Sequence, residues 1–141
     1  KLDEQVDHGP IVAVRKYPTS DVQYPILRDE MAKLGAELLV EALPDYLSEK
    51  LKPADQDHSQ ATFTKKIKKS DGEIKLEDDP QLNYRKFLAY QPWPGSFFFE
   101  NDKRIKITDA SLENSIFVIK KVVPEGGKEM SYQDYLHGSK K

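Results

Sequence analysis

The 141-residue sequence contains no cysteine. Disulfides, thiolate zinc sites and a cysteine nucleophile are thereby excluded, and a reducing, cytoplasmic setting is expected. No apolar run approaches the roughly 20 residues that a membrane-spanning helix needs. The N-terminal stretch also lacks the basic-then-apolar order of a secretory signal, so no membrane partner is expected. The three histidines, His8, His58 and His137, have no companions at ligand spacing, which argues against a metal site. There is no internal repeat. The chain opens on Lys1 rather than Met and begins with a polar stretch, which reads as a start inside a longer sequence.

What is present is a globular composition, 38% apolar and 33% charged, enough for one domain or one domain plus part of another. Charge is unevenly spread. Residues 1–60 carry 7 Lys+Arg against 12 Asp+Glu, and residues 61–141 carry 15 against 12, so the halves differ as -5 and +3. The second half is the better candidate for contact with a polyanion.

In the first half, Ile11-Val12-Ala13-Val14 between Gly9-Pro10 and Arg15-Lys16 has the length of a buried strand. Ser20 or Asp21 can cap a helix whose apolar face repeats as Leu27, Met31, Leu34, Leu38 and Ala42. Pro44 should kink or restart that helix before it ends near Leu51. Residues 52–60 read as a linker.

The second half changes period. Thr62, Thr64 and Ile67 among lysines suggest a strand. Ser70-Asp71-Gly72 suggests a turn, with a second short strand at Ile74–Leu76 completing a hairpin. Asp79-Pro80 marks a helix start, with its end near Tyr90. Ser96–Glu100 and Arg104–Ala110 read as strands around an Asn101-Asp102 turn, with Ile105 and Ile107 on one face. Ser115–Val123 reads as a further strand and Met130–Leu136 as a short closing helix. Short strands, hairpin turns and one inserted helix suggest a small closed or nearly closed β-barrel.

Three stretches, taken in order, resemble one family. The most specific is Phe87-Leu88-Ala89-Tyr90-Gln91-Pro92-Trp93-Pro94-Gly95-Ser96-Phe97. Before it come Gln56, Ala61, Lys65-Lys66-Ile67-Lys68-Lys69 and Asp71-Gly72-Glu73-Ile74, and before those Asp3-Glu4-Gln5-Val6-Asp7-His8-Gly9-Pro10-Ile11-Val12. Residues 56–136 resemble the C-terminal, tRNA-facing domain of the methionyl-tRNA formyltransferase family, and the residues before them resemble the tail of its catalytic domain.

The resemblance implies an α+β chain in which a strand-helix tail of a Rossmann-like formyltransferase domain (1–51) and a linker (52–60) precede an OB-like barrel with an inserted helix (61–141). It implies formyl transfer from 10-formyltetrahydrofolate to the amino group of methionyl initiator tRNA by the intact enzyme. Asp7 stands at the family's catalytic acidic position. Its Asn and His partners belong to an Asn-x-His-x-Ser-Leu-Leu-Pro type motif that does not occur here. A carboxylate without partners cannot move the protons of that reaction, so this chain alone is expected to be inactive. Without the family context, Asp7 and His8 would be ordinary turn residues before Gly9-Pro10.

Candidate tRNA-binding cations are Lys65, Lys66, Lys68, Lys69, Arg85, Lys86, Lys103, Arg104, Lys106, Lys120 and Lys121, suited to phosphates with little sequence readout. If residues 62–69 form a strand, Lys66 and Lys68 share a face. Leu88 stands where many family members carry Arg, so Arg85 or Lys86 is the substitute contact. Leu76 likewise replaces a common Trp. Trp93, held between prolines, is expected to plug the end of a core, and Phe97-Phe98-Phe99 is ambiguous between a two-sided core and an RNA-facing ring. The rivals are a formyltransferase acting on a nucleotide-linked amino sugar, a formyltetrahydrofolate hydrolase-like module, and a non-catalytic RNA-binding barrel. A monomer is expected, as is a residue 1–50 segment less stable than the barrel, with an apolar helix face left open.

Overall fold

The computed structural model describes residues 3–19 and 21–138, so the proposed cap Ser20 lies outside the described residues. The chain divides into two compact units: residues 3–19 with 26–65, and residues 21–25 with 66–138.

The first unit is organised along α1 (Tyr24–Leu47). The helix runs unbroken through Pro44, three residues before its end, instead of kinking there and continuing to Leu51. Proline removes one amide donor, and in the last turn little helix remains to be lost. No residue of α1 is buried. Of the expected face, Leu27, Leu34, Leu38 and Ala42 are half-buried, and Met31 is exposed. A second group, Leu39, Val40, Leu43 and Leu47, is exposed. Arg15 forms an ion pair with Glu41 and lies 3.9 Å from Glu37, tying the segment before the helix to its surface.

The strand expected at Ile11–Val14 is reduced to a single antiparallel bridge between Ile11 and Ala54. Their reciprocal amide-carbonyl bonds measure 2.8 and 2.9 Å. The supposed linker supplies that partner. Gln56 continues the connection, its amide donating to the carbonyls of Asp7 (2.8 Å) and Gly9 (2.7 Å).

In the second unit, Asp79 accepts from the Leu82 amide at 2.8 Å and Pro80 occupies the first turn of α2 (Pro80–Ala89), the arrangement that satisfies a free helix donor. Four antiparallel strands follow in spatial order β1 (Ser96–Glu100), β2 (Lys103–Glu113), β3 (Ile116–Pro124) and β4 (Met130–Ser131). Asn101 and Asp102 both adopt positive φ, as do Asn114 and Ser115. Two-residue turns of this kind match the twist of paired strands. The first turn fixes Phe99 opposite Arg104 and Phe98 opposite Ile105. β2 shifts register on both sides of Asp109.

The core lies between α2 and one face of this sheet: Ile74, Phe87, Leu88, Phe98, Ile105, Ile107, Ala110, Ile119 and Val122. Each fully buried large side chain here contributes about 1.5–3 kcal/mol. Met130 and Ser131, expected to open the closing helix, instead pair with β3, and α3 is Tyr132–Gly138.

The expected hairpin over residues 62–76 is absent. Residues 61–68 have no regular structure and are exposed throughout, and Lys69–Gly72 is a 3₁₀ turn. With four lysines among residues 62–69 and only Phe63 and Ile67 as large apolar residues, that segment has no continuous apolar face to bury against a neighbour. Its turn chemistry survives locally, because Asp71 accepts from the Lys68 amide at 2.7 Å. Past the turn, the Ile74 amide donates to the Phe97 carbonyl at 2.7 Å, and Glu73 forms a parallel bridge with Phe97.

Candidate nucleic-acid interface

Strand alternation divides the three consecutive phenylalanines. Phe98, 3% exposed, enters the core. Phe97 and Phe99 point to the opposite face, where their β2 neighbours are Lys106 and Arg104. The Arg104 guanidinium lies 3.9 Å from the Phe97 ring centroid, a cation-π contact of about 0.5–1 kcal/mol in an exposed setting. Phe97 and Phe99 meet edge to face, with centroids 5.6 Å apart and planes at 88°. Arg104 covers Phe97, which is only 5% exposed, while Phe99 is 54% exposed.

Gln91-Pro92 and Trp93-Pro94 are both cis, and Gly95 has positive φ. The corner they form presses against the 3₁₀ turn at Gly72. Lys106 lies along it, its Cε 3.3 Å from where a Gly95 Cβ would be. Trp93 is 55% exposed. The expected core plug is therefore incorrect: the small glycine-to-glycine contact closes the corner, leaving the indole outside.

The other candidate cations fall into distinct settings. Lys65, Lys66, Lys68 and Lys69 are exposed along the segment leading into the 3₁₀ turn. With no strand there, the period-two assignment of Lys66 and Lys68 to one face does not apply. Lys103 and Arg85 are exposed on β2 and α2. Lys120 and Lys121 are already accompanied by carboxylates, Glu113 at 3.4 Å and Glu129 at 3.8 Å. The Ser111 hydroxyl, followed by Lys120, holds Glu113 below the usual carboxylate range. Lys86 donates to the Glu73 carbonyl at 3.4 Å. It lines a depression of about 460 Å³ with Ser70, Asp71, Glu73, Lys75, Asp78 and Tyr90. Three acids against two lysines there do not favour a phosphate. The structure thus brings Arg104 and Lys106 together with two aromatic rings, and leaves Lys86, Lys120 and Lys121 in mixed-charge surroundings.

The Phe97-Phe98-Phe99 run, ambiguous in the sequence between a two-sided core and an RNA-facing ring, is thus divided, with Phe98 in the core and Phe99 the exposed ring. The signal was present, because a two-residue turn at Asn101-Asp102 places Phe98 with inward-facing Ile105 and Phe99 with Arg104.

Asp7 lies in the first unit, exposed and with positive φ. Gln56 holds the backbone of its turn. Neighbouring His8 stacks on His58 with centroids 3.6 Å apart and planes at 4°, and its Nδ1 lies 2.6 Å from Asp3. That hydrogen bond is the main cause of a lowered Asp3 pKa. Among the described residues no group of three or more His, Cys, Asp or Glu is arranged to hold a metal ion. No described helix is long and apolar enough to cross a membrane.

Residues 66–117 match the formyl transferase C-terminal domain. The chain is 38% identical over 117 residues to the methionyl-tRNA formyltransferase of Chloroflexus aurantiacus, covering 81% of this chain and 37% of that protein. Across the curated relatives it matches, it spans from about a third to about half of their length. Among solved structures it is similar to methionyl-tRNA formyltransferase from Clostridium thermocellum, with TM-score 0.55, 20% identity and coverage of 88% of this chain and 53% of that one. It is also similar to HypX from Aquifex aeolicus in complex with tetrahydrofolic acid, with TM-score 0.64, 18% identity and coverage of 95% and 28%. At these identities the structural likeness is one of fold. The chain carries a formyl transferase C-terminal domain at residues 66–117 and resembles the C-terminal portion of methionyl-tRNA formyltransferase.

Proposed function

We propose that this chain supplies the tRNA-holding portion of a methionyl-tRNA formyltransferase acting in the cytoplasm, as a monomer, in translation initiation. The observation that carries the reading is the 38% identity to a protein of that name over most of the chain. The Arg104–Lys106 face, with the Phe99 ring exposed beside it, supports an RNA ligand. Residues 61–141 form the tRNA-binding domain in this reading, residues 52–60 the linker and residues 1–51 the end of the catalytic domain. An OB-like closure of the sheet is part of the proposal. It is supported by the register shifts in β2 and by the Ile74–Phe97 hydrogen bond, which carries pairing past β1.

The intact enzyme would transfer a formyl group from 10-formyltetrahydrofolate to the amino group of methionine on initiator tRNA. This chain's contribution to the chemistry is the Asp7 carboxylate, positioned by a turn whose carbonyls Gln56 holds. A carboxylate so placed can accept a proton or orient a base or water. The other protonic groups and the folate pocket come from residues beyond this turn, so the chain by itself does not formylate.

The fold shared with HypX, a protein solved with tetrahydrofolic acid, favours a second reading, a folate-linked formyltransferase with another acceptor. Titration of initiator tRNA with the full chain at rising salt separates the two. The first reading expects binding that weakens at least tenfold between roughly 50 and 200 mM salt, as counterions return to several phosphates. Absence of tRNA binding at low salt would refute it. Charged initiator tRNA with 10-formyltetrahydrofolate should remain unformylated, and turnover would overturn the assignment of Asp7 as an incomplete site.

A further inference from the structure

We propose that Phe99 is a stacking platform for an unpaired RNA base, with Arg104 beside it to take the adjoining phosphate. The inference rests on the RNA-holding reading above and adds a subsite to it. Phe99 is an aromatic ring more than half exposed on the outward face of β1. Its orientation is set by the edge-to-face contact with Phe97. Arg104 is its cross-strand partner, and the guanidinium is held in place by lying over the Phe97 ring. Among the described residues that guanidinium has no carboxylate partner. The nearby acid, Glu125, is instead met by the Arg104 backbone amide at 3.4 Å. Lys106 continues the cationic row on the same face, its stem laid against the Gly95 corner.

An apolar protein partner would satisfy Phe99 but would strand the two cations beside it. A nucleotide satisfies both, offering a π face to the ring and an anion to the guanidinium. A paired base in a helix has no free face, so the ligand class is an unpaired nucleotide. Every base has a π face, so little base preference is expected.

The test uses the full chain with two probes, a short single-stranded oligoribonucleotide carrying one 2-aminopurine and a blunt RNA duplex. Wild type should quench the 2-aminopurine fluorescence on binding. Phe99→Leu should bind the single strand on the order of tenfold more weakly and the duplex unchanged, and Phe99→Trp should restore both binding and quenching. Circular dichroism and Trp93 emission of Phe99→Leu verify its fold. Equal single-strand affinity of wild type and Phe99→Leu overturns the proposal, as does equal loss on both probes. Duplex binding without single-strand binding by wild type overturns the stacking site alone. Failure to bind either probe removes the RNA-holding reading, and the stacking site with it.

Discussion

Replacing Gly72 with alanine probes the contact that closes the Pro-Trp-Pro-Gly corner. A Cβ at Gly72 would lie closer than 3.0 Å to the Gly95 carbonyl oxygen, with Gly95 C and Pro94 Cγ both at 3.2 Å. All three belong to backbone or a proline ring, so relief requires the corner and the 3₁₀ turn to separate. Overpacking of this type costs about 1–3 kcal/mol. Separation also loads the adjacent 2.7 Å hydrogen bond from Ile74 to Phe97, worth about 0.5–1.5 kcal/mol net. The lower chain entropy of unfolded alanine returns about 0.4–1 kcal/mol. The net loss is about 2 kcal/mol, or a fall in Tm on the order of 10 °C for a unit of this size. Urea denaturation followed by Trp93 fluorescence reads this directly, since the protein's single tryptophan sits on the corner. Gly35→Ala is the contrast, with nothing within 4 Å of its Cβ inside α1. It should be neutral or stabilising, by up to about 1 kcal/mol. A Gly72→Ala protein within 0.5 kcal/mol of wild type would refute the steric reasoning, where the expected change is about 2.

Three further outcomes are expected. Asp79→Ala removes the acceptor of the Leu82 amide and should lower the stability of the second unit by about 1 kcal/mol in the same denaturation assay. Asn83 is fully buried and donates to the Lys75 carbonyl at 2.8 Å. Asn83→Ala should cost about 0.5–1.5 kcal/mol by removing one of two donors to that carbonyl, the Asp78 amide remaining at 3.0 Å, with faster hydrogen exchange in α2. The Tyr135 hydroxyl donates to Glu100, and burial, then that bond, push its pKa up from 10.0 to about 12. A raised folded-state pKa gives stability that is complete below pH 10 and lost as pH climbs toward 12, because the unfolded phenol ionises first. The slope from this group is at most about 1.4 kcal/mol per pH unit. Tyr135→Phe should flatten the alkaline fall in stability and remove the latest phenolate absorbance step; an unchanged pH profile would count against this linkage.

Several features were legible from residues alone, because they depend on neighbours in sequence. Asp79-Pro80 specifies its helix start through local amide chemistry. Asn101-Asp102 tolerates positive φ and so fixes the register of β1 against β2, from which the division of Phe98 from Phe97 and Phe99 follows. The three family stretches were likewise visible as an ordered pattern. The exposed apolar residues of α1 were only partly anticipated. Leu27 and Leu34 repeat clearly, but Leu39, Val40, Leu43 and Leu47 make the helix apolar on a second side, so periodicity could not say which side lies open.

Tertiary structure decided what depends on distant partners. Residues 62–69 have β-branched threonines, but among the described residues no strand pairs with them, and a strand without a ladder has no way to satisfy its amides. Trp93 has the bulk to fill a core, yet Gly72 and Gly95 approach too closely to admit it. The charge of Lys120 and Lys121 is counted in the sequence, while its availability depends on Glu113 and Glu129, brought near by folding. Gln56 is read in the sequence as the start of a domain entry. Only the folded chain shows its amide bound to the carbonyls of Asp7 and Gly9, forty-nine and forty-seven residues earlier. The sequence by itself determined the local turns, the helix starts and the family likeness; which aromatic faces outward and which cation is free were settled by packing, because both depend on residues far apart in the chain.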